Sequence, residues 1–136
     1  MVEDVAPPQA FQALTDNPDA VLVDVRTDAE WTYVGLPDLS PIGKRVLLVQ
    51  WQAFPSGAPN HNFVEQLGAS GVTRQHAVYF ICRSGARSLA AAETAEQAGY
   101  HTVFNVNDGF EGPPDADGHR GNVAGWKADA LPWRQR

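Results

Sequence analysis

Two stretches of the chain are almost wholly apolar and rich in β-formers: Val21-Leu22-Val23-Asp24-Val25 and Ala77-Val78-Tyr79-Phe80-Ile81. A run that does not alternate predicts a strand covered on both faces, as in a parallel sheet. Val46 to Val49 and Val103 to Val106 predict two further short strands. Between these runs the apolar residues take helical spacing. Pro7-Pro8 opens an amphipathic stretch with Phe11 and Leu14, stopped at Asn17-Pro18-Asp19. Thr27 to Tyr33 predicts a helical turn, with Thr27 capping and Glu30 at its third position. Gly35-Leu36-Pro37-Asp38 reads as a turn, and residues 54–60, rich in Pro and Gly, as a surface loop. Asn62 with Glu65 resembles a capping box for a helix carrying Phe63, Val64 and Leu67 and closing near Gly68. Arg87 to Ala98 is an alanine-rich helix ended by Gly99. A short helix is expected around Asn122 to Ala128, in a tail otherwise full of Gly and Pro. Strands alternating with helices imply an α/β fold with helices on both faces of a parallel sheet. Ligands of such sheets lie at the carboxyl ends of the strands. Cys82 falls at that end of the Ala77–Ile81 run.

Length and charge narrow the function classes. The 136 residues fit one domain, and 43% hydrophobic residues supply a core. A formal net charge of −6 argues against a general nucleic-acid binder and against an anionic membrane surface. No apolar run approaches the roughly 20 residues a membrane helix needs. The acidic start, Met1-Val2-Glu3-Asp4, is not followed by a long apolar stretch, so no secretory signal and a cytoplasmic address are expected. The single cysteine excludes an internal disulfide and a multi-thiolate metal site within the chain. His61, His76, His101 and His119 lack metal-ligand spacing. No metal and no cofactor are expected.

The candidate chemistry lies in Cys82-Arg83-Ser84-Gly85-Ala86-Arg87-Ser88. A tight loop between a strand end and a helix start aims backbone N–H groups at one spot, and Gly85 eases the turn. The helix that follows turns its positive dipole end to the same spot. Arg83 and Arg87 add positive charge, and Ser84 and Ser88 add hydroxyls. All of this favours an anion, either bound or formed on the Cys82 sulfur. An ordinary cysteine is only about 3% thiolate at neutral pH, and such surroundings favour the thiolate, which is the nucleophile. The plain alternative for a cysteine after a buried strand is inert packing. Two arginines and a glycine do not serve a dry core, so the reactive reading is preferred.

These residues resemble a rhodanese-homology domain. Leu22-Val23-Asp24-Val25-Arg26 followed by Glu30-Trp31 is similar to that family's first signature, and Tyr79 to Ser88 to its active-site loop. Gly99-Tyr100, Val103 to Val106, Gly109-Phe110, Gly125-Trp126 and Leu131-Pro132-Trp133 resemble its later segments. The likeness covers about residues 8–133 of a single domain spanning 1–136. It implies a central, mainly parallel five-stranded sheet with helices on both faces. It also implies a sulfurtransferase of the thiosulfate type. A sulfane sulfur would pass from a small anionic donor such as thiosulfate, through a Cys82 persulfide, to an external thiol, small-molecule or protein, or to cyanide. Arg83, Ser84, Gly85, Ala86, Arg87 and Ser88 are the matching substrate-binding positions. Related phosphatases and arsenate reductases have a loop one residue longer, with arginine six positions after the cysteine. Here Arg87 is five positions on and Ser88 is sixth, so a cradle sized for sulfur is expected. A non-catalytic sulfur carrier or regulatory module of the same fold is the alternative. The chain departs from the family at Gly35-Leu36-Pro37-Asp38-Leu39, which lacks a common histidine, and at Asp108-Gly109. Residues 51–63 are long and 107–119 look inserted.

Other residues carry weaker signals. Asp24 and Trp51 are candidates for a pocket wall. Asp24 and Arg26 read mainly as structural ion pairing at a strand end, with Glu30 a partner for Arg26. His119-Arg120 reads as a solvated loop, with assistance to an anionic substrate as the sharper alternative.

Overall fold

A computed structural model describes all 136 residues. Five strands form one sheet: β1 (Glu3–Val5), β2 (Ala20–Asp24), β4 (Leu47–Leu48), β5 (Ala77–Ile81) and β6 (Val103–Val106). Their order is β1-β6-β5-β2-β4, and every pairing is parallel. The four apolar runs thus take their expected places, although the Val46–Val49 run pairs only at Leu47 and Leu48. The fifth strand is one the hydrophobic pattern does not show. β1 is three residues long, two of them acidic, and it lies on the sheet edge beside β6. Charge on a short edge strand is compatible with pairing on one side only and discourages pairing on the other.

Alternation along the central strands divides the core in two. Val23, Val78, Phe80 and Val103 face one way and pack with Phe63 and Leu67 of α3 (Phe63–Ala69) and Ala91, Ala92 and Ala95 of α4 (Ala86–Gln97). Leu22, Tyr79, Ile81 and Val106 face the other way, against Ala10 and Leu14 of α1 (Pro7–Asp16) and against Phe110 and Trp126. Both faces are covered, which is why the strands read as unbroken apolar runs. Small side chains on the buried stripe of α4 bring it close to the sheet. Cys82 continues the face of Val78 and Phe80, so its side chain points under the start of α4.

Helix α2 (Asp28–Tyr33) has the capping box the sequence predicts: Glu30 N–H donates to Thr27 Oγ1 at 3.3 Å, and Thr27 N–H to Glu30 Oε1 at 3.2 Å. Three expectations differ. Asn62 occupies the cap position of α3 but its side chain makes no cap hydrogen bond. Helix α4 begins at Ala86, one residue early, because Gly85 takes the left-handed conformation at its N-cap. The stretch 122–128 forms bends and a turn rather than a helix. It is held by Trp126 N–H to the Gly109 carbonyl at 2.8 Å and by the Trp126 ring N–H to the Pro132 carbonyl. A two-residue pair, β3 (Leu36–Pro37) with β7 (Trp133–Arg134), runs antiparallel and ties the tail to the turn after α2.

Candidate functional site

Cys82 follows β5, the middle strand, at its carboxyl end. Its side chain is buried, with 1% of the residue exposed. Gly85 N–H donates to Sγ at 3.1 Å, and Ser88 Oγ lies 3.2 Å from Sγ. The loop closes because Gly85 adopts φ 114°, and a Cβ there would meet the Asn107 carbonyl oxygen at 2.2 Å. Glycine is thus required by space as well as by conformation.

The loop is clamped from behind by main chain. Phe110 N–H donates to the Cys82 carbonyl at 2.8 Å, and Glu111 and Gly112 N–H to the Arg83 carbonyl at 3.0 and 3.1 Å. Gly109 makes the approach possible: a Cβ would fall 2.5 Å from Arg83 O and 2.6 Å from Cys82 O. The start of the 107–119 segment therefore has a definite role, setting the shape of the Cys82 loop.

Charged groups are arranged around the loop in two pairs. Arg26 and Asp24 are both fully buried. Arg26 Nε and Nη2 donate to the Asp24 carboxylate, Nη2 also to the Gly35 carbonyl at 2.8 Å, and the guanidinium lies 4.3 Å from the centre of the Phe110 ring. Glu30 is not its partner. Glu30 instead takes both terminal nitrogens of Arg87, at 2.7 and 2.9 Å. Burial by itself would raise the Glu30 carboxyl, but the Arg87 hydrogen bonds and charge, with the Thr27 bonds, outweigh it and hold it below its ordinary 4.5. The Glu30 hydrogen bond in turn holds Arg87 in its charged form, with Cys82 and Asp24 as smaller contributors. Arg83 and Ser84 are exposed and Arg83 forms no ion pair.

An open cleft of about 750 Å³ runs beside the loop. Arg83, Arg87, Glu30 and Arg120 line it together with Tyr33 and Phe54, two aromatics that are 79% and 67% exposed. Arg120, one half of the His119-Arg120 pair, thus reaches the cleft, anchored by its bond to the Gly112 carbonyl. The two candidate wall residues take other positions. Asp24 is sealed against Arg26, and Trp51 packs edge-on to Phe63 at 5.2 Å and joins the core, leaving Gln52 to Pro55 to line the cleft. No group of three or more metal-ligating side chains comes together. No helix is long and apolar enough to cross a membrane.

The family described as STR4 middle domain matches residues 3–136. The chain belongs to that family, and its fold is rhodanese-like. A crystal structure of Rv0390 from M. tuberculosis superposes with a TM-score of 0.88 at 50% identity, covering 99% of this chain and 98% of that one. The rhodanese-like domain of an Anabaena protein gives a TM-score of 0.65 at 16% identity, over 100% and 81% of the two chains, and speaks for the fold alone. An uncharacterized protein of Rickettsia conorii is 36% identical over 98% of both chains. A sulfurtransferase of Allochromatium vinosum is 26% identical over 97% of this chain and 94% of its own.

Two residues near the rhodanese-like loop escaped the sequence. Asn105 Oδ1 accepts from Ser88 Oγ at 2.5 Å, and Asn105 Nδ2 donates to Asp4 Oδ1 at 3.0 Å. A single polar residue in an apolar strand was the only local signal for Asn105. Asp4 had none, because its strand is too short to be read.

Proposed function

We propose that this protein is a sulfurtransferase that carries a sulfane sulfur on Cys82 from a small anionic donor such as thiosulfate to an external thiol or to cyanide. The observation that carries the reading is the placement of Sγ. It lies at the carboxyl end of the central strand, accepting the Gly85 N–H at the N-terminus of the twelve-residue helix α4. Anionic sulfur is favoured there by a charge-assisted hydrogen bond and the helix dipole.

The chemistry balances without a further reagent. After the Cys82 proton leaves to solvent, the thiolate attacks the outer sulfur of thiosulfate. The sulfur–sulfur bond of the donor breaks, and sulfite departs with the electron pair, leaving a Cys82 persulfide. An acceptor thiolate or cyanide then attacks the outer sulfur, and Cys82 recovers its thiolate. With one cysteine in the chain, no internal disulfide can discharge the persulfide, so the acceptor comes from outside. Exposed Arg83 is the free cation for an anionic donor, and the cleft at Arg83 and Arg87 has room for an acceptor far larger than thiosulfate.

The test is turnover of thiosulfate with cyanide or a thiol, together with intact-mass measurement. Wild type gains the mass of one sulfur after thiosulfate, and Cys82→Ser lowers turnover by at least about a thousandfold. Turnover that survives this substitution would overturn the reading. Two observations favour a second reading, a sulfur carrier or regulatory module. Sγ is deeply buried and Arg87 is already engaged by Glu30. Persulfide formation without catalytic turnover would select it.

A further inference from the structure

An unbroken hydrogen-bond chain runs from the edge strand to the sulfur: Asp4 Oδ1, Asn105, Ser88 Oγ, Cys82 Sγ. Its polarity follows from chemistry. An ionised carboxylate only accepts, so the Asn105 group facing Asp4 must be the NH2. The Asn105 carbonyl oxygen is thereby turned toward Ser88, and it too only accepts. Ser88 has one hydroxyl hydrogen and three neighbours: Asn105 Oδ1 at 2.5 Å, the Gly85 carbonyl at 3.2 Å and Sγ at 3.2 Å. The short bond to Asn105 claims that hydrogen. Ser88 therefore presents lone pairs to Sγ, and the contact is a hydrogen bond only when the thiol donates its own S–H.

We propose that Asp4 is a positioning residue that, through Asn105, holds the Ser88 hydroxyl turned away from Cys82 and so keeps the proton on the Cys82 sulfur. The serine thus opposes what the Gly85 N–H promotes. In this arrangement the Gly85 N–H alone supports charge on the sulfur, and a second donor is added when the hydroxyl swings to it. The other charged groups around Cys82 are Arg83 in the loop, Arg87 with Glu30 from α2, and Asp24 with Arg26 after β2. None takes part in the chain from Asp4. The inference concerns the same cysteine as the proposed function, but thiol alkylation reads it directly and needs no sulfur transfer.

The experiment is the rate of iodoacetamide alkylation of full-length protein against pH. In Asp4→Ala the Asn105 amide is free to flip and give its NH2 to Ser88, whose hydrogen then turns to Sγ. Alkylation at pH 7 should rise about tenfold, with the midpoint of the pH–rate profile moved about one unit lower. Asp4→Asn is the control. Its side-chain carbonyl still accepts from Asn105, so the rate should stay within about twofold of wild type although the charge is gone. Ser88→Ala supplies an independent sign. It removes the lone pairs facing the sulfur and should also accelerate alkylation, whereas a serine that donates to the thiolate would make the same variant slower. An unchanged Asp4→Ala, equal shifts in Asp4→Ala and Asp4→Asn, or a slower Ser88→Ala would each overturn the proposal.

Discussion

Arg26 and Arg87 each hold a carboxylate beside the Cys82 loop, yet the two pairs differ in almost every physical respect. Asp24 and Arg26 are two residues apart in sequence and entirely buried. Glu30 and Arg87 are joined across 57 positions, and each side chain is 20% exposed. A buried pair in low dielectric is costly to bring in and costlier to break, because the surviving charge has no water to turn to. A pair at a cleft mouth is screened and contributes little to folding. The first pair therefore belongs to the frame that fixes the loop after β2. The second lies on the cleft, where under the proposed sulfur transfer Arg87 would exchange the Glu30 carboxylate for an incoming anion.

The largest effect expected from this contrast is on stability. Arg26→Ala leaves the Asp24 carboxylate buried with little beyond the Arg26 main-chain N–H, and should cost about 3–5 kcal/mol. Replacing both residues with apolar side chains of similar volume should recover most of that loss. Urea unfolding measures both. A loss under about 1 kcal/mol for Arg26→Ala would place this pair with the exposed ones and remove the distinction.

That contrast also explains how much could be read in advance. The strands β2, β5 and β6 were legible because burial on both faces leaves an apolar run with no periodicity to confuse it. The loop was legible because Cys82, Gly85 and Arg87 fall within six consecutive residues, and such closeness needs no tertiary knowledge. Asp24 with Arg26 was legible as structural for the same reason. What was misread depends on contacts between distant segments. Local spacing pairs Glu30 with its near neighbour Arg26, whereas the fold brings Arg87, in the first turn of α4, to Glu30 instead. Its place after a strand makes Trp51 a candidate wall residue, but the chain turns it inward onto Phe63. The Asp4–Asn105 contact spans 101 positions and joins an edge strand too short to carry a pattern. No local rule reaches that far.

A smaller effect, on function rather than folding, is expected from Glu30→Gln. Glutamine keeps a side-chain oxygen for the Thr27 cap but removes the charge that occupies Arg87. Stability should fall by no more than about 1 kcal/mol. If the proposed sulfur transfer holds, Arg87 released into the cleft should lower KM for an anionic donor by about threefold to tenfold. The KM for a neutral thiol acceptor should be unchanged. Parallel changes for both substrates would mean that Arg87 serves only to hold α2 against α4.

The smallest effect is a dependence on acid. The Glu30 carboxyl is held below its ordinary 4.5 in the folded protein, by Arg87 and Thr27 against the opposing pull of burial. A group lowered on folding contributes stability that is complete above its unfolded value and disappears as pH falls through its folded value. Wild type and Glu30→Gln should therefore differ by a constant amount near neutrality. Below 4.5 the gap should narrow and close, because a protonated Glu30 presents Arg87 with the same neutral side chain as glutamine. Urea midpoints of the two proteins between pH 7 and pH 3 measure the gap, and general acid destabilisation, common to both, cancels in the difference. A gap that persists undiminished at pH 3 would show that the difference is one of side-chain shape, and that the Glu30–Arg87 pair contributes no charge-dependent stability.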